Sequence, residues 1–167
     1  MIINDTGVMS DVVVEPIDPA SEEAIASSAA LWAEVQHRYD FVAPDPYDPA
    51  RFTTPGSAFW VARIGDSGAG SIALARSARS TVAELDGMYV AARHRRLGVA
   101  SALLTRLLEH ARRTGARLIQ LRAGSPQPEA LAFYRNAGFV PTEPFGRWRD
   151  DPTALCLALV LTETDLP

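Results

Sequence analysis

No lysine occurs in this 167-residue chain, so all sixteen basic residues are arginine. A Walker-type nucleotide loop, which sets a lysine against the phosphates, is therefore excluded. Cysteine is nearly as scarce. Cys156 is the only one, which rules out an intrachain disulfide and a cysteine metal cluster. Its setting, Ala-Leu-Cys-Leu-Ala-Leu-Val-Leu, reads as a buried strand with the thiol as a small core hydrophobe. His37, His94 and His110 include no i, i+4 pair for a metal, and no metal is expected. No apolar run approaches the ~20 residues that cross a bilayer. No secretory signal pattern opens the chain. No membrane partner is expected, and the expected location is cytoplasmic. There is also no Gly-x-Gly-x-x-Gly, which argues against a dinucleotide-binding domain.

What is present suits one soluble domain over residues 1–167, with residues 1–10 as a loose tail. Charge is unevenly spread. Residues 1–48 carry ten acids and one base, Arg38, whereas residues 93–122 carry eight arginines and one acid, Glu109. The asymmetry suggests an anionic ligand at one region and a cationic one at another; the competing reading is a solvated surface that segregates charge. Nucleic acid is not the expected partner, because the arginines gather on one turn and its helix rather than on a wide face with exposed aromatics.

The turn lies in the stretch Glu84 to Leu108. Glu-Leu-Asp-Gly-Met-Tyr-Val reads as a strand, and Ala-Ala-Arg-His-Arg-Arg-Leu-Gly-Val-Ala as a basic turn. The helix that follows repeats apolar residues at Ala100, Leu103, Leu104, Leu107, Leu108 and Ala111, the spacing of one face. A helix N-terminus offers unpaired N–H groups and a partial positive charge. Arg93, Arg95 and Arg96 add to that preference, and Gly98 lets a ligand approach the main chain. The turn reads as a phosphate cradle.

Other elements follow from period and punctuation. Val12–Val14 is a short strand. Ser21 caps a helix whose apolar face is Ile25, Ala29, Trp32, Val35 and Tyr39, unless Ser27-Ser28 breaks it in two. Residues 40–57, with four prolines, read as a long ordered loop. Strands are expected at Ala58–Ile64, Ser71–Ala75, Thr81–Val90, Arg117–Ala123, from Phe139 and at Ala154–Leu161, the first two joined by Gly-Asp-Ser-Gly-Ala-Gly. A short helix starts after Ser125-Pro126-Gln127-Pro128 and ends at Gly138. Hairpins first and strand–helix–strand later predict an α/β fold with a mixed, mostly antiparallel central sheet flanked by helices.

Arg95-Arg96-Leu97-Gly98-Val99-Ala100 resembles the acetyl-CoA pyrophosphate signature of the GNAT superfamily of N-acetyltransferases. Met88-Tyr89-Val90 precedes it as that family's central strand does. Glu129 to Phe139, with its Phe133-Tyr134 pair and closing Gly-Phe, resembles a second family motif. The resemblance covers residues 58 to 161 well and 12 to 57 loosely. Arg96 and Ala92 stand where the family often has glycine and proline, and Gln127 where many members carry asparagine.

The resemblance implies acetyl transfer from acetyl-CoA to the amine of a small or amino-acid-like molecule, by direct attack in a ternary complex. It implies that Leu97, Gly98, Val99, Ala100 and Ser101, with Arg95 and Arg96, hold the pyrophosphate. Met88, Tyr89 and Val90 would pair with the pantetheine arm, and Gln127 and Phe133 would complete the cofactor site. Tyr134 would give a proton or hydrogen bond to the departing thiolate; its competing reading is a core aromatic. Glu84 or Asp86, two residues apart on one strand face, would assist loss of the amine proton, Glu84 through a water. Both could instead solvate a sheet edge or bind a cationic substrate. Tyr39, Arg122 and Arg147 are candidates for the acceptor pocket. Arg122 there would imply an acceptor with a carboxylate, and a structural ion pair is its alternative. A non-catalytic acyl-CoA-binding module and a protein N-terminal acetyltransferase are the other functional readings, and the chain is expected to be a monomer or homodimer.

Overall fold

Residues 11–161 are described by the computed structural model, so the tail expected at 1–10 lies outside the described residues. Seven strands form one sheet in the order β1-β2-β3-β4-β5-β7-β6. They are β1 (Val12–Ile17), β2 (Ala58–Ile64), β3 (Ser67–Arg76), β4 (Val82–Val90), β5 (Leu118–Ala123), β6 (Val140–Thr142) and β7 (Leu155–Val160). Every neighbouring pair is antiparallel except β4 and β5. The helices are α1 (Glu22–Tyr39), α2 (Val99–Arg113) and α3 (Pro128–Asn136). None of the described helices is long and apolar enough to cross a membrane.

Strand alternation sends side chains to two cores. On one face Trp60, Ile72, Leu74 and Leu85 pack with Leu103, Leu107 and Ala111 of α2 and Tyr134 of α3. Leu103 and Leu107 are wholly buried, which stabilises by roughly 1.5–3 kcal/mol for each such side chain. On the other face Phe59, Val61 and Ala73 pack with Ala24 of α1 and Phe52 of a 3-10 turn at Pro49–Phe52. The long proline-rich loop therefore carries one ordered turn, started by the Asp48 side chain accepting from the Ala50 N–H.

Several expected boundaries move, each for a packing reason. Ser27-Ser28 does not break α1, because Ser27 donates to Ser71 of β3 at 2.6 Å and so anchors the helix to the sheet. The inward stripe of α1 runs through Ala24, which is fully buried, while Ile25 is 47% exposed. The second strand of the hairpin starts at Ser67 rather than Ser71. Glycine is required at position 70 of this strand, because a β-carbon there would overlap the Tyr89 carbonyl oxygen and press on Val99 of α2. Phe139 is buried and β6 begins one residue later. The acidic N-terminal excess is met partly by distant arginines: Arg63 pairs with Glu15 and Glu23, and Arg95 with Glu34.

The sheet opens at its centre. β4 and β5 pair only from Val82↔Leu118 to Glu84↔Gln120, and beyond that point they separate. Two features drive the split. β5 stays bound to β7 through Ala123↔Leu155. β4 bulges, with Gly87 and Met88 opposite the single residue Ile72 of β3, which bends the strand away. The hydroxyl of Ser71, 1% exposed, donates to the Gly87 carbonyl at 3.1 Å and satisfies a main-chain group in the bulge.

Candidate active site

Two hollows meet at this split. The first, about 620 Å³, lies where the end of β4 meets the start of α2, with Met88, Tyr89, Val90, Arg95, Arg96 and Gly98 on its walls. Val99, Ala100, Ser101, Gln127 and Phe133 also line it, so most residues named for an acyl carrier share one cleft, with Leu97 in the turn between Arg96 and Gly98 and Tyr134 on the second hollow instead. Gly98, at φ 77°, is the residue before α2, and no side chain caps the helix. Its first turn holds no acidic residue, and the intrahelical ladder begins with the Ala102 N–H on the Gly98 carbonyl. These N–H groups open onto the cleft and fit a diphosphate.

The arginines of the turn have separate tasks. Arg93 donates to Ser67 at 2.9 Å and to His94 at 3.0 Å. Arg95 donates through Nε to the Val90 carbonyl at 3.1 Å and pairs through Nη2 with Glu34 at 2.6 Å. Arg96 takes a left-handed backbone conformation, φ 62°. Glu34 itself lines the cleft, and sequence reasoning did not select it. It also pairs with Arg38, which pairs with Glu129 of α3. This chain of charges fastens the end of α1 across the cleft to the turn before α2 and to α3. The i, i+4 spacing of Glu34 and Arg38 was its only sequence signal.

The second hollow, about 770 Å³, lies on the α1 side of the sheet and reaches Tyr134, Arg122, Arg147, Tyr39 and Asp86. Gln127 borders both hollows and accepts from the Tyr39 hydroxyl at 3.2 Å. Tyr134 is 5% exposed and faces the second hollow, while its neighbour Phe133 faces the first. Burial pushes its phenol well above the ordinary tyrosine range, and the Asp86 carboxylate adds to the shift. The phenol therefore stays protonated at neutral pH and up to the ordinary tyrosine value of 10.0.

Glu84 and Asp86 share one face, because the bulge comes after them. They form a closed ring of charges with two arginines from opposite loops. Arg51 reaches Asp86 at 2.7 Å and Glu84 at 3.4 Å. Arg147 reaches Glu84 at 3.0 Å and Asp86 at 3.2 Å. Trp148 Nε1 donates to Glu84 at 3.3 Å, and the Gly87 N–H donates to Asp86 at 2.8 Å. Every carboxylate oxygen of the pair is already an acceptor. Asp86 lines the hollow, whereas Glu84 is covered by Arg51, Arg147 and Trp148. Arg51 is the partner that sequence reasoning missed; its signal was being the lone base in residues 40–57.

Arg122 lies between two rings, its guanidinium carbon 5.4 Å from the Tyr39 centroid and 5.1 Å from that of Trp148. It also bonds Asp151 at 3.3 Å. The Thr153 hydroxyl and N–H hold the Asp151 carboxyl below its ordinary range, and Arg122 assists. The Tyr47 hydroxyl, on the loop wall, donates to the Pro19 carbonyl at 2.6 Å. Burial, then surrounding carboxylates, push that phenol up to about 12.

Comparison with known proteins identifies the family and the fold. Residues 28–139 match the family model described as the acetyltransferase (GNAT) family. The chain is 33% identical over 103 residues to the uncharacterized N-acetyltransferase YsnE of Bacillus subtilis, covering 60% of this chain and 68% of that protein. A GNAT-family acetyltransferase structure from Staphylococcus aureus Mu50 aligns with a TM-score of 0.75 at 16% identity, covering 91% of this chain and 100% of that one. The structure of yncA from Salmonella typhimurium, which holds acetyl-CoA, aligns with a TM-score of 0.64 at 22% identity, covering 93% and 97%. The chain belongs to the acetyltransferase (GNAT) family and is an acetyl-CoA-dependent N-acetyltransferase.

Proposed function

We propose that the chain transfers the acetyl group of acetyl-CoA to the primary amine of a small, amino-acid-like molecule, by direct attack with both substrates bound. The observation that carries this reading is the junction of the two hollows at the β4–β5 split, with Tyr134 facing it and an uncapped helix start on the far side. A diphosphate on the N–H groups of residues 97–101 would direct the pantetheine arm along Met88, Tyr89 and Val90, ending beside Tyr134. The Gln127 and Phe133 side chains would border that arm.

In the reaction the acceptor ammonium first loses a proton. Asp86, which lines the hollow, would take it, while Glu84 stays paired with Arg51, Arg147 and Trp148. The amine nitrogen then forms a bond to the thioester carbonyl carbon, and a main-chain N–H of β4 would polarise the carbonyl oxygen. The carbon–sulfur bond breaks, the second amine proton leaves, and sulfur takes up a proton. Acetyl-CoA and an ammonium thus give an acetamide, free CoA and one proton. Because the Tyr134 phenol is a weaker acid than a thiol of ordinary pKa about 8.5, the reading supported best is that it steadies the leaving thiolate by a hydrogen bond.

The test mixes the protein with acetyl-CoA and a panel of amines and follows release of the CoA thiol. Release that depends on an amine, with the matching acetamide identified by mass, is the expected result. Binding of acetyl-CoA with no release for any amine would favour a non-catalytic acyl-CoA-binding module instead.

A further inference from the structure

We infer that the acceptor is a zwitterionic α-amino acid with an aromatic side chain, its carboxylate held by Arg122 and its amino group by Asp86. The inference rests on the N-acetyltransferase reading above and names which amine the second hollow takes.

The first argument is register. Glu84↔Gln120 is the last paired position of β4 and β5. Asp86 and Arg122 each lie two residues further on, so they share that face and stand on opposite lips of the split. A ligand bridging the lips meets a carboxylate on one strand and a guanidinium on the next. An α-amino acid places an ammonium and a carboxylate on one carbon, which matches charges carried by neighbouring strands. This orientation leaves the amine on the β4 side, beside the strand proposed to carry the thioester.

The second argument is capacity. Arg51 and Arg147 are both engaged by the ring of carboxylates. Arg122 is different. It has one carboxylate partner, Asp151 at 3.3 Å, a long contact to Thr153 at 3.5 Å, and a buried Nε–H with no acceptor among the described residues. The rings of Tyr39 and Trp148 flank its guanidinium at 5.4 and 5.1 Å, and a guanidinium is the side-chain group that matches a planar carboxylate. A buried donor without a partner is costly, and a ligand carboxylate that draws this side chain forward would satisfy it.

The third argument is the wall. Away from the charged lips, Trp32, Phe41, Tyr47, Phe52 and Phe59 line the hollow. Trp32 and Phe41 meet edge-on at 5.4 Å, and Tyr47 stacks on Phe52 at 5.9 Å. Such a lining accepts a ring by offset and edge contacts. Asp45 and Asp48 also stand on this wall, so a polyamine is the competing acceptor that the experiment includes.

The experiment compares L-phenylalanine and L-tryptophan with 2-phenylethylamine, tryptamine, glycine and spermidine, by CoA release and by quenching of the protein's tryptophan fluorescence with CoA bound. The expected result is kcat/KM for the aromatic amino acids about tenfold or more above that for the decarboxylated amines and for glycine. Arg122→Gln is expected to raise KM for the amino acid by about tenfold and to erase the difference from the decarboxylated amine, with acetyl-CoA affinity unchanged. Arg122→Lys, which keeps the charge, separates loss of recognition from loss of folding and is expected to restore part of the preference. Equal or better use of the decarboxylated amines, glycine or spermidine overturns the inference and leaves the N-acetyltransferase reading standing. Should no amine release CoA, the fluorescence arm decides. Tighter binding of L-phenylalanine than of 2-phenylethylamine sustains the inference while the proposed function fails, and equal binding overturns it.

Discussion

The Tyr39 hydroxyl occupies the space that a side chain on Gly124 would need: a β-carbon built there would lie 1.7 Å from the Tyr39 oxygen and 2.7 Å from Cζ. The end of α1 and the exit from β5 are thus fitted to each other, and the contact sets one wall of the second hollow. Gly124→Ala should push the Tyr39 ring out, breaking its bond to Gln127 and uncovering one face of Arg122. The expected outcome is a rise in acceptor KM on the order of tenfold to 10²-fold, as for other small misplacements in active sites. Steady-state kinetics check it, with acetyl-CoA binding measured separately and little altered.

Tyr134→Phe removes only an oxygen from a buried ring that packs edge-on against Phe133 and Phe139. The fold should survive. If the phenol steadies a thiolate by a hydrogen bond, kcat should fall by roughly 10- to 10²-fold, since a hydrogen bond to a charged group contributes about 1.5–3 kcal/mol. A loss nearer 10³–10⁴ would indicate full proton transfer. Because burial and Asp86 raise the phenol, the wild-type rate should show no tyrosine ionisation on its alkaline limb up to the ordinary tyrosine value of 10.0. A change below about threefold would remove Tyr134 from the chemistry.

Glu34 stands in the cleft proposed for a diphosphate and ties up Arg95. Glu34→Gln removes a negative charge from the anion's neighbourhood and frees a guanidinium for it. Acetyl-CoA should bind about twofold to tenfold more tightly at low salt, with the gain shrinking as salt screens the site. The broken pairs are partly exposed, so stability should drop by no more than about 1 kcal/mol. Calorimetric titration at two ionic strengths measures the effect, and weaker binding in the variant would contradict it.

His110 packs edge-on against Trp60 at 5.0 Å, and its Nε2 lies 3.2 Å from the Gly56 carbonyl. Burial lowers its pKa below the ordinary 6.5, and Arg113, Arg106 and Arg76 lower it further, against the carbonyl contact. The unfolded chain therefore binds the proton more readily than the folded one. Its contribution to stability is fully present above pH 6.5 and is lost as pH falls through the folded-state value. His110→Gln keeps a donor for Gly56 and removes the titration. Thermal melts of both proteins between pH 8 and pH 5 (about 1.5 units either side of the ordinary histidine value) should show the steeper acid-side fall in the wild type alone.

How much of this was legible beforehand differs from element to element. The amphipathic period of Leu103, Leu104, Leu107 and Ala111 announced α2, because one buried stripe is a local property of a helix. The proline and glycine boundaries of α3 and the start of α2 after Gly98 were legible for the same reason. The course of α1 was not. Its serines looked like a break until Ser71 supplied Ser27 with a partner from 44 residues away.

The order of residues by itself determined most of the elements and the family, since each depends on neighbours within a few positions along the chain. Only the tertiary structure decided what the carboxylates and arginines do. Glu84 and Asp86 lie within three residues of each other, yet Arg51 and Arg147 reach them from 33 to 63 residues away. The orientation of Arg122 between Tyr39 and Trp148 likewise depends on three separate segments meeting. Electrostatics acts through distance in space, and strand pairing, not sequence spacing, sets that distance.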